Sequence, residues 1–419
     1  MGKIARLEGR SLPWAREQFA RYYARQKVPP PVRLPRREFA MFPFASETVM
    51  RRHAAFRTPE EFEEFLAQEV PRHVYYSSAY YRVPDHPKMA QKEWLGADLI
   101  FDLDADHLRE AAGLTYEGQL ELVKRKVRAL LEEFLLGDFG IPPENAQLFF
   151  SGGRGYHVHV RDEAFLTLNS PERRELVEYV MGSGFDATTA IDERRDGARG
   201  PTDVSVVPGE GTLAPRRPGK VRASKHLFPS ETPGWRGRTT RGVLAMLARW
   251  ERSDRATVRA ELEAAGASRP EARQFVRKLL DEGKAEQIRQ TLSLDVFKGE
   301  VPALLLDLVL RQAAIEVQGE TDAPVTTDIH RLIRLPGSLH GGTGLRVTPL
   351  SLESLDPFDP LRDAALPAVS GETVEVELAE TVDHEVGGFR AQGAAGDRRT
   401  LPAPAALFLM LRGEAALPS

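Results

Sequence analysis

The chain has 419 residues, enough for two domains or for one large domain carrying an insertion. Hydrophobic residues make up 42% and charged residues 28%, and 57 basic against 61 acidic side chains leave a formal charge of −4, which excludes wholesale disorder and a strongly basic chromatin-type protein. With no cysteine, it has no disulfide, no thiolate zinc knuckle, no cysteine-held iron–sulfur cluster and no cysteine nucleophile.

The first residues are polar and mixed in charge, unlike a secretory signal, and the most apolar run, 301–310, is short and carries Asp307. A cytoplasmic location with no membrane partner is expected. Along the chain, residues 58–69 have helical spacing, with Phe62, Phe65 and Leu66 on one face. Residues 97–101 predict a buried strand ending in acids, 120–136 a long amphipathic helix, and 147–150 a second strand. A Ser-Gly-Gly-Arg-Gly turn and the alternating run 156–160 follow, so strand, helix, strand, turn and strand point to an α/β or α+β layer. Residues 197–241, rich in Pro, Gly and Arg, read as loop, and 242–290 as helical. The expected organisation is a core from 1–241 and 318–419 with a mainly helical insertion, 242–317. Strands are expected at 345–350 and 373–378, and a closing helix at 402–411.

Three segments carry chemistry. In Asp98-Leu-Ile-Phe-Asp102-Leu-Asp104-Ala-Asp106, a strand places Asp102 and Asp104 on one side, about 6.6 Å apart along the chain. Two like charges there are unfavourable unless a cation bridges them, as in two-metal phosphoryl and nucleotidyl transfer. The plain alternative is a strand running out into an acidic loop. In Ser151-Gly-Gly-Arg154-Gly-Tyr-His157-Val-His159, glycines let an anion approach the backbone amides, Ser151 donates a hydroxyl and Arg154 can fork onto phosphate. A hairpin with surface histidines, or a zinc site from His157 and His159, are the alternatives. The third segment, from Asp322 through Asp328, Arg331, Arg334 and Ser338 to His340, offers carboxylates, a Gly-rich turn, and two arginines spaced to share a helix face. Separately, Arg216, Arg217, Lys220, Arg222, Lys225, Arg236, Arg238 and Arg241 form a basic stretch, either a solvated loop or a phosphate-backbone contact.

Taken together, Asp98-Leu-Ile-Phe-Asp-Leu-Asp-Ala-Asp-His107, Ser151-Gly-Gly-Arg-Gly-Tyr-His-Val-His159 and Arg331-Leu-Ile-Arg-Leu-Pro-Gly-Ser-Leu-His340 resemble the catalytic small subunits of archaeal DNA primases. The segments His73-Val-Tyr-Tyr-Ser-Ser-Ala-Tyr-Tyr81 and Arg37-Glu-Phe extend the likeness, which runs from about residue 37 to the C-terminal region. The resemblance implies the archaeo-eukaryotic primase fold, an α/β (α+β) catalytic core of mixed sheets flanked by helices with an inserted helical subdomain. It implies a nucleotidyltransferase that makes short RNA primers, with DNA primers as an alternative product, on single-stranded DNA template during replication. A repair or plasmid-type primase-polymerase and a non-catalytic single-strand-binding subunit are the alternatives.

On this resemblance Asp102 and Asp104 match the paired ligands of Mg²⁺ or Mn²⁺. Asp322 matches the third carboxylate, with Asp328 its rival. Ser151, Arg154 and His157 match triphosphate-holding residues, as do Arg334 and His340, with Ser338 a further contact. Arg52 matches an N-terminal basic residue, with Arg51 as rival. The partners implied are ribonucleoside and deoxyribonucleoside triphosphates and a primase large subunit carrying an iron–sulfur cluster. Many members carry a zinc knuckle of Cys and His, which this cysteine-free chain lacks.

Overall fold

The computed structural model describes residues 7, 9–45, 49–196, 222–295, 321–368 and 372–418. The chain divides into two units, Met1–Met181 with Gly319–Ser419, and Gly182–Gln318. In the first unit the strands are, in chain order, β1 (Phe39–Phe42), β2 (Arg51–Ala54), β3 (His73–Ser77), β4 (Ala79–Tyr81), β5 (Trp94–Ala97), β6 (Leu99–Asp104), β7 (Ala146–Phe150) and β8 (Gly155–Val160). The second unit holds β9 (Ile191–Asp196) and β10 (Arg222–Leu227). The first resumes with β11 (Leu332–Arg334), β12 (Thr348–Leu350), β13 (Thr373–Leu378), β14 (Val382–Val386), β15 (Phe389–Gly393), β16 (Arg398–Pro402) and β17 (Ala415–Ala416).

Two four-stranded sheets, ordered β11-β3-β1-β2 and β12-β7-β8-β6, carry the first unit. Their ladders are antiparallel throughout. The architecture is mixed α/β, as the order of predicted elements implied. Every residue of β8 is buried, so His157 and His159 are interior groups rather than the wet face of a hairpin. The predicted helix at 58–69 forms as Pro59–Glu69; the Thr58 hydroxyl accepts from the Glu61 N–H, and Phe62 and Leu66 are buried. The long helix begins at Tyr116, capped by Thr115, and winds its last turns, Leu130–Asp138, as π-helix. The closing helix Ala403–Arg412 is buried from Ala403 to Leu411, filling the space under the C-terminal strands.

The apolar run expected as one strand is two. The chain leaves β5, which pairs with β4, and enters β6 in a different sheet, with Asp98 at the switch. The Asp98 N–H donates to the Ser78 carbonyl (2.9 Å), and its Oδ2 accepts from Arg37 Nη2 (2.6 Å). Its Oδ1 accepts from the Tyr80 hydroxyl (2.6 Å), and Arg173 donates to the carbonyls of Asp98 (2.9 Å) and Ala97 (2.7 Å). Asp98 therefore belongs to the frame, not to the acidic end of β6. Arg331 and Arg334 are likewise not on a helix: Arg334 ends β11, and Arg331 precedes it.

The C-terminal strands rest on the long helix through a charged contact. His384 on β14 has Nδ1 3.0 Å from Glu117 Oε1 and Nε2 3.3 Å from Glu414 Oε2. Hydrogen bonds to Glu117 and then Glu414 hold its pKa up to about 9. Because the folded value lies above the unfolded one, this contact stabilises fully below about pH 6.5 and is lost as pH rises through about 9. The melting temperature of the wild type should therefore fall between pH 7 and 9.5, with a contribution on the order of 2 kcal/mol from this group. His384→Gln should flatten that slope; equal slopes in the two proteins would show the contact to be neutral.

Among its described residues the second unit has the antiparallel pair β9–β10 and the α-helices Gly234–Arg252, Arg255–Ala264, Arg269–Val276 and Lys284–Thr291, with Trp250, Phe275, Met246 and Leu262 in its core. This unit begins at Gly182, ahead of the β9–β10 pair. Helix begins earlier than the Pro/Gly-rich composition implied, at Gly234. Within the basic stretch, Arg238 is buried with its guanidinium 5.1 Å from the Trp235 ring, so it is a packing group. Arg236 lies 4.7 Å over the Phe228 ring, Lys225 pairs with Glu193 at 3.7 Å, and Arg241 donates to the Ser230 carbonyl (2.7 Å). Arg216, Arg217 and Lys220 lie outside the described residues, as do residues 301–310.

Candidate active site

The antiparallel register of β6 and β8 sets Asp102 opposite His157 and Asp104 opposite Gly155. Leu103 between them and Phe101 before them are buried, while both aspartates are half-buried at the strand end. The strands approach closely because residue 155 is glycine: a Cβ there would stand 2.1 Å from the Leu103 carbonyl oxygen. His157 Nε2 comes within 3.3 Å of Asp102 Oδ1.

The third carboxylate arrives from far along the chain. The Asp322 N–H donates to the Asp102 carbonyl (2.7 Å), and Asp322 immediately precedes the helix Ala323–Thr327 without a side-chain capping bond. Its Oδ2 lies 3.6 Å from His107 Nδ1. Asp328 stands at the other end of that helix and accepts from the His330 N–H (2.9 Å). Asp322 is thus the acid beside Asp102. Burial, followed by the negative charges of Asp104 and Asp322, pushes Asp102 up to about 7 against the pull of Arg331 and Arg334. Burial and then Arg334 hold His157 down at about 3, so its approach to Asp102 is that of a neutral ring.

Cationic and glycine-rich groups lie near the acids, Arg331 and Arg334 within electrostatic reach of Asp102. Gly152, at φ +77°, packs against His340, where a Cβ would stand 2.8 Å from the histidine Cβ. Ser151 Oγ accepts from the Gly153 N–H (3.3 Å), and Arg154 reaches Asp106 at 2.6 Å. Arg334 Nη1 lies 2.6 Å from His73 Nδ1 and 3.4 Å from the Tyr75 hydroxyl, with its guanidinium 5.3 Å from the Tyr75 ring centre. The Gly341 N–H also donates to His73 Nδ1 (3.3 Å), so that nitrogen is an acceptor and the buried ring neutral. His340 Nδ1 accepts from the Gly342 N–H (3.2 Å), and burial with Arg334 and His73 holds its pKa well below the usual value.

Two expected residues are not brought to this group. Ser338 is fully buried and its hydroxyl donates to the Leu335 carbonyl (2.7 Å), closing the turn. Arg52 sits on edge strand β2, three strand spacings or about 14 Å across the sheet from β11, with its Nε on Glu38 (3.0 Å). Arg51 is exposed and pairs with Glu69 at 3.1 Å. Conversely, His73 stands beside Arg334 although the sequence pattern assigns it no role, because that contact spans 261 residues, which no local spacing reveals.

Among the described residues no three His, Asp or Glu side chains converge tightly enough to enclose a metal ion alone. The donors present nonetheless fit Mg²⁺ or Mn²⁺, which take a few carboxylate oxygens and complete their shells with water and phosphate. The raised Asp102 pKa marks negative charge that a cation would neutralise. Zinc does not fit, since His157 and His159 find no third ligand grouped with them among the described residues and cysteine is absent.

The family model of the DNA primase small subunit matches residues 101–352, which contain all three acids and both basic segments. The DNA primase small subunit PriS of Methanothrix thermoacetophila is 39% identical over 97% of this chain and 99% of its own length. Its counterpart in Methanocella arvoryzae is 38% identical over 96% and 97%, and that of Archaeoglobus fulgidus 35% over 96% and 98%. Likeness at this level along the length of both partners settles the family: the chain belongs to the DNA primase small subunits.

Proposed function

We propose that this subunit is the catalytic half of its primase, joining ribonucleotides, with deoxyribonucleotides as a second substrate class, into short primers on single-stranded DNA. The observation that supports this reading is the backbone bond that sets Asp322 beside Asp102, which shares its strand face with Asp104, within the electrostatic reach of Arg334, itself near His340. Two Mg²⁺ or Mn²⁺ ions held there would acidify the attacking 3′-hydroxyl and neutralise the departing pyrophosphate. Asp102, Asp104 and Asp322 hold the cation charge in place. Arg154 and Arg334 bind the triphosphate and stabilise charge as it moves to the leaving group. Neutral His340 and His157 bound the pocket and orient phosphate and Asp102. The remaining contribution is alignment of the two reactants.

No helix among the described residues is long and apolar enough to cross a membrane. The reading places the subunit in the cytoplasm, beside a large subunit carrying the iron–sulfur cluster that this cysteine-free chain has no thiolates to hold. The unit Met1–Met181 with Gly319–Ser419 contains every proposed site residue, which makes it the catalytic unit. The test is incorporation of labelled nucleotides on single-stranded template, with and without divalent metal. Metal-dependent chains with release of pyrophosphate are expected. Template binding without synthesis, alone and with the large subunit, would leave a binding subunit instead, and free phosphate as product would mark a phosphoesterase.

A further inference from the structure

The Ser151–Arg154 turn is held from behind by two hydroxyls that come from elsewhere in the fold. The Tyr116 hydroxyl donates to the Gly153 carbonyl (2.6 Å), and the Thr343 hydroxyl donates to the Gly152 carbonyl (2.5 Å). Neither is adjacent in sequence to the turn: the separations are 37 and 191 residues. Both side chains are buried. The Tyr116 ring is fixed edge-on to Phe408 at 5.8 Å, with the Arg412 guanidinium 4.6 Å over its face, and burial keeps the phenol protonated. Thr343 Oγ1 also accepts from the Leu345 N–H (3.2 Å) and lies 3.1 Å from His340 Nδ1, so the Gly152 carbonyl is the nearer of its two acceptors.

A trans peptide is planar, so its N–H points opposite to its C=O. Drawing the Gly152 and Gly153 carbonyls back toward Thr343 and Tyr116 turns the N–H groups of Gly153 and Arg154 to the other side, where the Gly153 N–H donates to Ser151 Oγ (3.3 Å) and so leaves that hydroxyl's own proton for phosphate, beside the Arg154 N–H. Gly152, at φ +77°, supplies the left-handed step that lets successive N–H groups face one concavity. Were either peptide to flip, a carbonyl oxygen would take the place of an N–H, against Ser151 Oγ in the first peptide and against the anion in the second. We infer that Tyr116 and Thr343 are positioning residues that set the polarity of this turn for the nucleotide's phosphates. The inference rests on the reading of the turn as the triphosphate seat, and it adds two residues from the start of a helix and from the loop after β11 to that seat.

The experiment compares Tyr116→Phe, Thr343→Val and Thr343→Ser with the wild type, in the complex with its large subunit. Binding of inorganic triphosphate is measured by calorimetry, and nucleotide KM and kcat are measured on single-stranded template. Tyr116→Phe and Thr343→Val should each weaken triphosphate binding and raise nucleotide KM by about 5–10-fold, with kcat and template affinity within about twofold. Thr343→Ser, which keeps the donor, should restore the wild-type values where Thr343→Val loses them. A purely structural role would lower the melting temperature while leaving KM and triphosphate affinity unchanged in both hydroxyl-deleted variants, and that result overturns the inference alone. A wild-type protein that fails to bind triphosphate overturns the reading of the turn and this inference with it.

Discussion

Asp102→Asn and Asp104→Asn should each abolish primer synthesis, by at least about a thousandfold, while the metal-free protein melts no lower than the wild type. The loss follows from removing a charged oxygen ligand where the reaction concentrates negative charge, an effect of about 4 kcal/mol on the barrier. The retained stability follows from the opposite side of the same electrostatics. Burial and the neighbouring Asp104 and Asp322 raise the Asp102 carboxyl to about 7 in the folded protein, so its ionised form opposes folding. The sign is that of a raised acid: the penalty is absent below the unfolded pKa near 4 and complete above about 7. At pH 8, Asp102→Asn should therefore exceed the wild type by on the order of 2 kcal/mol, and at pH 4 the two should coincide. Added Mg²⁺ should raise the wild-type melting temperature and leave that of the variant nearly fixed. Asp322→Asn should behave as the strand aspartates do, whereas Asp328→Asn should retain most synthesis. Near-normal synthesis in Asp102→Asn or Asp104→Asn would end the carboxylate assignment.

The largest expected effect on stability lies at Asp98. Arg37 and Asp98 are almost entirely buried, with side-chain exposures of 0% and 1% and a separation of 2.6 Å. Asp98→Ala would leave the Arg37 guanidinium charged and dry, and breaking such a pair costs about 3–5 kcal/mol. The Arg37 donors to the Ser77 and Ser78 carbonyls would remain, as would the ring of Tyr80 at 3.8 Å, so the cost is that of uncompensated charge rather than of lost packing. Denaturant midpoints should fall accordingly in Asp98→Ala. The double variant Asp98→Ala/Arg37→Met should recover a good part of the loss, because it removes the stranded charge. A loss below about 1 kcal/mol in Asp98→Ala would mean that water or Tyr80 compensates Arg37 on its own.

Local chemistry determined much of this protein before any distant contact is considered. The i, i+2 period of a strand puts Asp102 and Asp104 together, Thr58 starts a helix wherever that segment packs, and glycines at 152 and 155 permit a turn that other residues would obstruct. The alternating pattern of β8, in contrast, could not reveal that both faces are covered, since burial depends on what packs above and below the sheet. The spacing of Arg331 and Arg334 suits a helix, yet pairing with β3 makes Arg334 part of a strand, because ladder hydrogen bonds outweigh a three-residue spacing. The same dependence on distant partners separates Asp98, locked to Arg37, from the acids four and six residues on. It also separates Asp322 from Asp328: the two lie at opposite ends of one short helix, and only the backbone bond from Asp322 to Asp102 decides which carboxylate meets the strand. Residue type and spacing carry the identity of the reacting groups. Which of them share a pocket is decided by contacts across hundreds of residues, where chain closure and burial, not local propensity, determine the geometry.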